Sequence, residues 1–271
     1  MKNVYFLILV GVIATLSACN QFKSDHPQAA ILDEQATNLT AKSILKYADS
    51  VDKNISQTNK QTSLIYMLGD LSFYVEKFNL DNQTVLMVEH AFSGGLNTNL
   101  KKYYFRNDSL ILELSQNKLT NDDENTLKDS RTYLRNNTVF KLENRTAAAE
   151  TAINSLPYLN VPLSENKNSD KSHLDNVKTL NDVVDGTDKF DMVFDSITTY
   201  PDARYLILRS KIQNSYTASI LIKDKDALVD SLLNDPIHFK AQKLNFKWMV
   251  KNQEAIYVPV VSNTSANGLN R

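Results

Sequence analysis

Two short segments with the same order of residue types carry the side chains best suited to binding a ligand. The sequences YFRNDSLI and YLRNNTVF begin at Tyr104 and Tyr133. Each places a tyrosine and an arginine two positions apart, so Tyr104 with Arg106, and Tyr133 with Arg135, fall on equivalent faces of a strand. Aromatic rings and guanidinium groups bind sugars and anionic polymers through stacking and charge. These four residues form a candidate binding stripe, the Tyr-Arg stripe. The alternative is a solvated sheet face that bears aromatic ladders.

The histidines, serines and single cysteine form no recognisable catalytic or metal-binding motif. The histidines are His26, His90, His173 and His238, and none has a partner at a spacing typical of a metal site. His90 shares a strand face with Leu86, Val88 and Phe92, which predicts packing. No Gly-x-Ser-x-Gly occurs, and Cys19 is the only thiol, which excludes a cysteine nucleophile elsewhere. We expect neither a cofactor nor a resident metal.

Carboxylates are the remaining candidates for chemistry. The densest group consists of Asp182, Asp185, Asp188, Asp191 and Asp195. Such oxygen ligands could hold calcium, but their spacing does not match an EF-hand loop, so helix capping and solvation are the favoured interpretation. Asp122, Asp123 and Glu124 read as a loop between the two repeated hairpins. A hydrolase that uses dispersed carboxylates stays open as an alternative, since the separation of two carboxylates requires a fold.

A different kind of chemistry is indicated at the start of the chain. Lys2 precedes an apolar run that begins at Val4 and ends in the small residues Ser17 and Ala18. This order is that of a secretory signal peptide, and the run is too short for a permanent membrane-spanning helix. The four residues LSAC that end at Cys19 resemble the lipobox of bacterial lipoproteins. The resemblance implies cleavage between Ala18 and Cys19 and a diacylglycerol on the Cys19 thiol. An ordinary signal peptide with an incidental cysteine is the alternative.

The resemblance also indicates where the protein works. Several acyl chains on one residue give stable membrane anchoring. Asn20 does not resemble the aspartate that retains many such proteins at an inner membrane. The residues that begin at Lys23, KSD, are faintly similar to the surface-export signals of Bacteroidota lipoproteins. We therefore expect the cell envelope, at the outer membrane, with the leaflet undetermined.

Composition and charge narrow the function further. The formal net charge is −1, without a block of like charges, so counterion-driven binding to nucleic acid is not expected. The hydrophobic fraction of 42% is ordinary for a globular core. The chain has only six glycines, which argues against folds that bind phosphate groups with several Gly-rich loops.

Changes of pattern along the chain predict six segments. They are a signal peptide at 1–18, a flexible tether at 19–39, a lobe of one helix and antiparallel hairpins at 40–158, a linker at 159–172, a lobe of one helix and a ββαββ unit at 173–262, and a polar tail at 263–271. The fold class is therefore α+β, with a mostly antiparallel sheet packed by a few helices.

Turn residues place the hairpins of the first lobe. Gly69-Asp70 is a two-residue turn between two apolar runs, and a strand from Thr84 to Phe92 follows. Asn-led turns at Asn107 and Asn136 close the two repeated hairpins, because Asn and Asp tolerate the left-handed backbone. The predicted cross-strand pairs are Phe105 with Leu110, Tyr103 with Leu112, Lys102 with Glu113, Leu134 with Val139, and Tyr133 with Phe140.

Apolar spacing and capping residues predict three longer helices. The first is capped by Thr40, the second ends at Gly186, and the third is capped by Asp224 and ends before Pro236. Strands at 205–208 and 218–222 precede the third helix. Strands at 239–250 and 255–261, joined near Asn252, follow it.

The expected function is that of a membrane-anchored, non-enzymatic envelope lipoprotein with a binding or structural role. Its partners are the membrane, through the N-terminal lipid, and a glycan or an envelope protein. A lipid or lipoprotein carrier with an apolar cavity, similar in outline to outer-membrane lipoprotein receptors, is the main alternative.

Replacing Cys19 with serine should release the protein from the membrane, because the hydroxyl cannot take the place of the acylated thiol. We expect the natural chain to partition into the detergent phase of a Triton X-114 extract and Cys19→Ser to stay in the aqueous phase. Ser24→Ala, in the predicted tether, is the matched control and should partition like the natural chain. Membrane binding that survives Cys19→Ser, or a mature N-terminus without lipid by mass spectrometry, contradicts the anchor.

Overall fold

The structure is a computed structural model, and it describes residues 39–94, 96–120, 125–163 and 168–260. The chain divides into two units, Met1–Leu39 and Thr40–Arg271. The signal peptide, the tether up to residue 38 and the polar tail lie outside the described residues. Within the part that is described, none of the helices combines the length and apolar character needed to cross a membrane.

Fourteen strands in the described ranges form one sheet. They are β1 (Asn59–Thr62), β2 (Tyr66–Leu68), β3 (Leu71–Leu80), β4 (Gln83–Ser93), β5 (Asn97–Arg106), β6 (Ser109–Thr120), β7 (Asn125–Arg135), β8 (Thr138–Ala147), β9 (Leu159–Val161), β10 (Met192–Thr199), β11 (Arg204–Ser210), β12 (Thr217–Leu221), β13 (Lys247–Lys251) and β14 (Glu254–Val258). Their spatial order is β10-β11-β12-β2-β3-β4-β5-β6-β7-β8-β9, with β1 beside β3, and β14 between β12 and β13. Every pairing is antiparallel except that of β12 with β14, which confirms the α+β class.

Five α-helices complete the described fold. They are α1 (Ala41–Lys53), α2 (Glu150–Ile153), α3 (Asn168–Asp185), α4 (Ala227–Asn234) and α5 (Pro236–Phe239). Thr40 caps α1 as predicted, with its hydroxyl accepting from the Ser43 backbone amide. The predicted second helix corresponds to α3, which is followed by Gly186 at φ +61°. Glycine adopts this backbone without the steric cost that a side chain adds.

Three hairpins of the first lobe end in the same kind of turn, although the sequence repeat revealed only two; the hairpin of β13 and β14 also ends in it, at Asn252 and Gln253. In the first lobe, the central pairs begin at Asp81, Asn107 and Asn136. All six central residues have φ between 48° and 64°, which is the type I′ backbone that matches the twist of paired strands. The predicted turns at Asn107 and Asn136 are confirmed. The first copy escaped the sequence comparison because it has neither the tyrosine nor the arginine of the other two.

A β-bulge follows each of the three turns in the first lobe and corrects the predicted register. One residue is left without a cross-strand partner in each hairpin: Val85, Ile111 and Phe140. The pairs of Phe105 with Leu110 and of Leu134 with Val139, which precede the bulge, are confirmed. The pairs beyond it are wrong by one residue. Tyr104 opposes Leu112, Tyr103 opposes Glu113, Lys102 opposes Leu114, and Tyr133 opposes Lys141.

The shifted register divides the strands between two faces of the sheet. One face carries the row Leu86, Tyr104, Leu112 and Tyr133, and we call it the α1 face because Tyr47 of α1 donates to the Phe105 carbonyl oxygen at 2.6 Å. The other face carries the row Met87, Tyr103, Glu113 and Thr132. We call it the α3 face, because Glu113 contacts His173 at 3.1 Å and Lys77 donates to Asn181 at 2.8 Å.

The two predicted lobes contribute strands to the same sheet. Antiparallel pairing of β12 with β2 joins them, and Tyr66 and Phe73 pack against Phe190 and Tyr216 across this junction. The predicted linker at 159–172 contains β9, which pairs with β8, and the first residues of α3. This segment is therefore largely part of the folded structure.

The ββαββ unit at the end of the chain differs from its prediction at two places. Asp226, not Asp224, caps α4, because α4 begins at Ala227 and only the Asp226 carboxylate reaches the amides of its first turn. The predicted strand at 239–250 is a strand only from Lys247 onward. The segment before it contains α5 and then bonds β10 through two backbone hydrogen bonds at Phe194. Pro236 at the start of α5 favours this helical turn.

Substitution of Asn107 tests whether the left-handed turn sets the stability of the hairpins. Asn107→Val should lower the free energy of unfolding by about 1–2 kcal/mol, since a β-branched side chain is strained at positive φ. Asn107→Gly, at the same site, should be neutral or slightly stabilising. Urea denaturation of both variants measures the difference, and equal stability of the two would show that the turn does not constrain the fold.

Candidate functional site

The Tyr-Arg stripe does not form an exposed row of rings. Tyr104 and Tyr133 are each 0% exposed, and their hydroxyl groups donate to Asp52 at 3.0 Å and to Glu143 at 2.7 Å. Burial, and then the neighbouring carboxylate, raises the pKa of both phenols. The arginines lie against other rings, Arg106 over Tyr47 at 5.9 Å and Arg135 over Phe140 at 4.0 Å. The prediction of stacking through these tyrosines is therefore wrong.

A polar groove crosses the α1 face beside the buried tyrosine row. It consists of two cavities of about 180 and 320 Å³ that share the lining residues Leu100 and Gln116 and therefore lie side by side. The first is lined by Leu45, Ala48, Asp49, Asp52, Leu100, Lys102, Tyr104, Leu114, Ser115, Gln116, Ser130, Arg131 and Tyr158. The second is lined by Thr98, Leu100, Gln116, Asn117, Lys118, Leu127, Asp129, Glu150, Ile153 and Asn154. We call this feature the α1–α2 groove.

One wall of the groove is the acidic side of α1. Ile44 and Ala48 are the buried residues of this helix, and Ala48 also lines the groove. Asp52 accepts hydrogen bonds from Lys102 at 2.9 Å and from the Tyr104 hydroxyl at 3.0 Å, which holds the helix over β5. Asp49 lies one turn earlier on the same wall, is exposed, and has no hydrogen bond or ion pair among the described residues. This wall thus offers a carboxylate that is not already used by the fold.

The other wall is held in place by two arginines and Tyr158. The guanidinium carbon of Arg131 lies 3.5 Å from the centre of the Tyr158 ring, and that of Arg145 lies 4.5 Å from it. Arg145 also donates two hydrogen bonds to Asp129, at 2.9 and 2.7 Å. Asp129 is only 6% exposed, so this pair is shielded from water. Buried Ile153 anchors α2 beside it.

The floor of the groove combines apolar and polar side chains from three neighbouring strands. Leu100, Leu114 and Leu127 contribute the apolar side chains. Gln116 projects an exposed amide between them, at the point where the two cavities meet. Amides and carboxylates hydrogen-bond hydroxyl groups, while a leucine surface packs against C–H groups. The groove therefore suits an uncharged ligand that is rich in hydroxyls and also has apolar patches.

Three of the five acidic residues that were candidates for calcium are instead paired with lysine side chains. Lys178 pairs with Asp182, Lys211 and Lys243 pair with Asp191, and Lys240 pairs with Asp195. These hydrogen bonds lower the pKa of each carboxyl group. Among the described residues, no group of three or more His, Cys, Asp or Glu residues could hold a metal ion. Asp122, Asp123 and Glu124 lie outside the described residues.

His90 is a packing residue, in agreement with its predicted place on the strand. Its ring stacks on Tyr74 with a centroid distance of 4.4 Å, and its Nε2 lies 3.3 Å from Glu76. The hydrogen bond with His90 is the largest cause that brings the pKa of Glu76 down to about 2, burial opposes it, and Lys60 adds to the lowering. The three side chains brace β1, β3 and β4 on the α1 face.

A separate, more apolar cavity of about 150 Å³ lies where the end of α3 meets the last strands. Its lining residues are Leu64, Tyr66, Val184, Asp185, Gly186, Phe190, Met192, Leu208, Lys243, Leu244, Phe246 and Trp248. Trp248 thus contributes to a partly packed region. Because ligand cavities typically have about 300–1,000 Å³, this one is too small for a whole lipid.

Sequence reasoning missed most of the α1–α2 groove. Asp49 and Asp52 lie on the polar side of a helix that the apolar spacing predicts. The sequence therefore indicated this part of the groove wall. No sequence pattern indicated that Tyr158 and Gln116 would lie in the groove, because their positions depend on the pairing of distant strands. Ala18 and Cys19, the predicted cleavage and lipidation sites, lie outside the described residues.

Comparison of the chain with protein-family models, with curated proteins and with solved structures gives no match. The function is therefore proposed from the residues and their geometry.

Removal of Arg145 should destabilise the groove wall, because the Asp129 carboxylate loses its ion-pair partner. Arg145→Met leaves a buried carboxylate without its partner, and we expect the free energy of unfolding to fall by about 3–5 kcal/mol. Adding Asp129→Asn in the same chain removes the unpaired charge and should recover part of this loss. Arg106→Met, at an exposed arginine, is the control and should change stability little. Equal urea midpoints for Arg145→Met and Arg106→Met would contradict the structural role of the pair.

Proposed function

We propose that this protein is a lipid-anchored lipoprotein of the bacterial cell envelope that binds a glycan in the α1–α2 groove without cleaving it. The lipobox-like residues that end at Cys19 support the anchor and the outer-membrane location. The composition of the groove supports the ligand class. The observation that carries the proposal is that the two cavities lie side by side, with Leu100 and Gln116 in both linings, over a floor of apolar and polar side chains.

The size and charge of the groove favour an oligosaccharide over a small anion. Its two cavities together extend across β5, β6 and β7, farther than a single sugar needs. Lys102 is neutralised by Asp52, and Arg131 lies 4.0 Å from Glu143, so the floor has no unpaired cluster of cations to attract a polyanion. Asp49 and Gln116 remain free to bond hydroxyl groups, and waters can complete the network.

The charges of the groove support binding in preference to hydrolysis. A glycosidase of the usual type needs one carboxyl group whose pKa is raised, so that it can donate a proton to the leaving group. Asp129 is paired with Arg145 at 2.7 Å and Asp52 with Lys102 at 2.9 Å, so both carboxylates already hold a structural partner. In the described part of the chain, every carboxyl group with a clearly shifted pKa has it shifted downward.

A carrier for whole lipids is the weaker candidate. The apolar cavity of about 150 Å³ does not provide room for two acyl chains. The larger cavity, of about 320 Å³, is bordered by Asp129, Glu150 and Lys118, whose charges do not favour an acyl chain.

Two groove variants test the proposal in a binding assay with envelope oligosaccharides. A glycan array first identifies a ligand, and calorimetry then measures its dissociation constant for the soluble chain from residue 20 onward. We expect Gln116→Ala and Asp49→Ala each to weaken binding by about tenfold or more, as the loss of one well-placed hydrogen bond predicts. Circular dichroism confirms that both variants remain folded.

Matched controls separate the groove from the rest of the surface. Gln61→Ala and Asp202→Ala remove the same groups from exposed sites outside the groove and should leave affinity unchanged. Binding should also survive the double variant Arg106→Ala plus Arg135→Ala, which removes the Tyr-Arg stripe. Loss of binding in that double variant, together with full binding in Gln116→Ala and Asp49→Ala, would move the site from the groove to the stripe.

A further inference from the structure

The apolar cavity at the end of α3, named here the aromatic cavity, has walls that the proposed function does not use. Tyr66, Phe190, Phe246 and Trp248 supply four aromatic rings, and aliphatic residues from β10, β11 and the segment before β13 fill the gaps between them. Lys243, with a side chain that is 64% exposed, and exposed Asp185 line the same cavity. The cavity therefore reaches the surface at its charged edge.

The polar atoms in the aromatic walls are already satisfied by the fold. The Tyr66 hydroxyl donates to the Val183 carbonyl oxygen at 3.2 Å, and the Trp248 Nε1–H donates to the Ser63 carbonyl oxygen at 3.2 Å. Lys243 is paired with Asp191 at 2.8 Å. A buried water needs two to four polar partners, and the Tyr66 hydroxyl and the Trp248 N–H already have theirs within the described fold. The deep part of the cavity is thus better filled by an apolar group than by water.

The volume sets the size of that group. The cavity has about 150 Å³, close to the roughly 150 Å³ of an engineered apolar cavity that stays dry and binds benzene. A single aromatic ring or a chain of a few carbons fits this space, and a long acyl chain does not. The aromatic walls add edge and face contacts that favour a ring or a polarisable group.

The charged residues at the opening determine which polar group a ligand in the cavity can carry. Asp185 has no hydrogen bond or ion pair among the described residues, whereas Lys243 is already neutralised by Asp191. A carboxylate at the opening would face the free charge of Asp185 and be repelled. A ligand with an uncharged polar group, or with no polar group, is not repelled by Asp185.

From these features, we propose that the aromatic cavity is a second binding site, for a small uncharged apolar molecule about the size of benzene or of a short-chain alcohol. The site is independent of the glycan site, because the lining of the aromatic cavity and that of the α1–α2 groove share no residue. Its occupation should also stabilise the junction between α3 and the last strands, since a ligand that binds only the folded state raises the melting temperature.

Trp248 makes the test direct, because it is the only tryptophan of the chain and it lines the cavity. The soluble chain is titrated with benzene, hexan-1-ol and hexanoate while tryptophan emission and the melting temperature are recorded. We expect a saturable change in emission and a higher melting temperature with benzene and hexan-1-ol. Hexanoate should bind about tenfold more weakly than hexan-1-ol, because of the repulsion at Asp185.

Two cavity variants and one control make the result specific. Val184→Phe places a ring in the cavity and should weaken benzene binding by about tenfold or more. Val260→Phe, an identical change at a residue that is 63% exposed, should leave binding unchanged. If Val184→Phe does not fold, Leu244→Ala decides the question, since it enlarges the cavity and should admit naphthalene, which the natural chain excludes.

Three outcomes would overturn the proposal. The first is a change in tryptophan emission that grows linearly with ligand concentration and does not saturate. The second is equal benzene binding by Val184→Phe and Val260→Phe. The third is an equal response of Leu244→Ala and the natural chain to naphthalene. None of these outcomes would contradict the proposed glycan site, because its residues lie in a different part of the sheet.

Discussion

The register of the bulged hairpins is the constraint on which the rest of the structure depends. Because side chains alternate between the two faces of a strand, a shift of one residue moves a whole strand's side chains to the opposite face. The bulges at Val85, Ile111 and Phe140 introduce this shift in three hairpins at equivalent positions. They put Tyr104 and Tyr133 in one buried row and send Glu113 to the other face. Without the bulge at Ile111, Lys102 would lie opposite Glu113 instead of Leu114.

That register also explains why the two faces of the sheet have different roles. On the α1 face the short helix covers only the row near the type I′ turns, so the adjoining stretch of β5, β6 and β7 stays open as the α1–α2 groove. Asp52 holds the helix in this place by accepting from both Lys102 and Tyr104. On the α3 face a helix of eighteen residues and the last strands cover more of the surface. The aromatic cavity is a gap left where they meet.

The two sites differ in how the fold maintains them. The groove wall depends on charge, since Arg145 is bonded to buried Asp129 and its guanidinium group supports the Tyr158 ring. The aromatic cavity depends on packing, because its rings are positioned by hydrogen bonds that point away from the open space. The polar ligand and the apolar ligand that we propose would therefore not compete for the same residues.

Local patterns in the sequence determined the elements whose cause is local. Thr40 as a cap, the turns at Asn107 and Asn136, and the helix that ends at Gly186 could all be predicted, because capping and left-handed backbone depend on a few adjacent residues. The lipobox-like segment at Cys19 is of the same kind, and it remains a prediction. The register beyond each turn, the single sheet that joins the two lobes, and the groove between α1 and Tyr158 were decided only by the tertiary structure. They arise from strand pairing and packing between residues far apart in the chain, and no short window of sequence contains both partners.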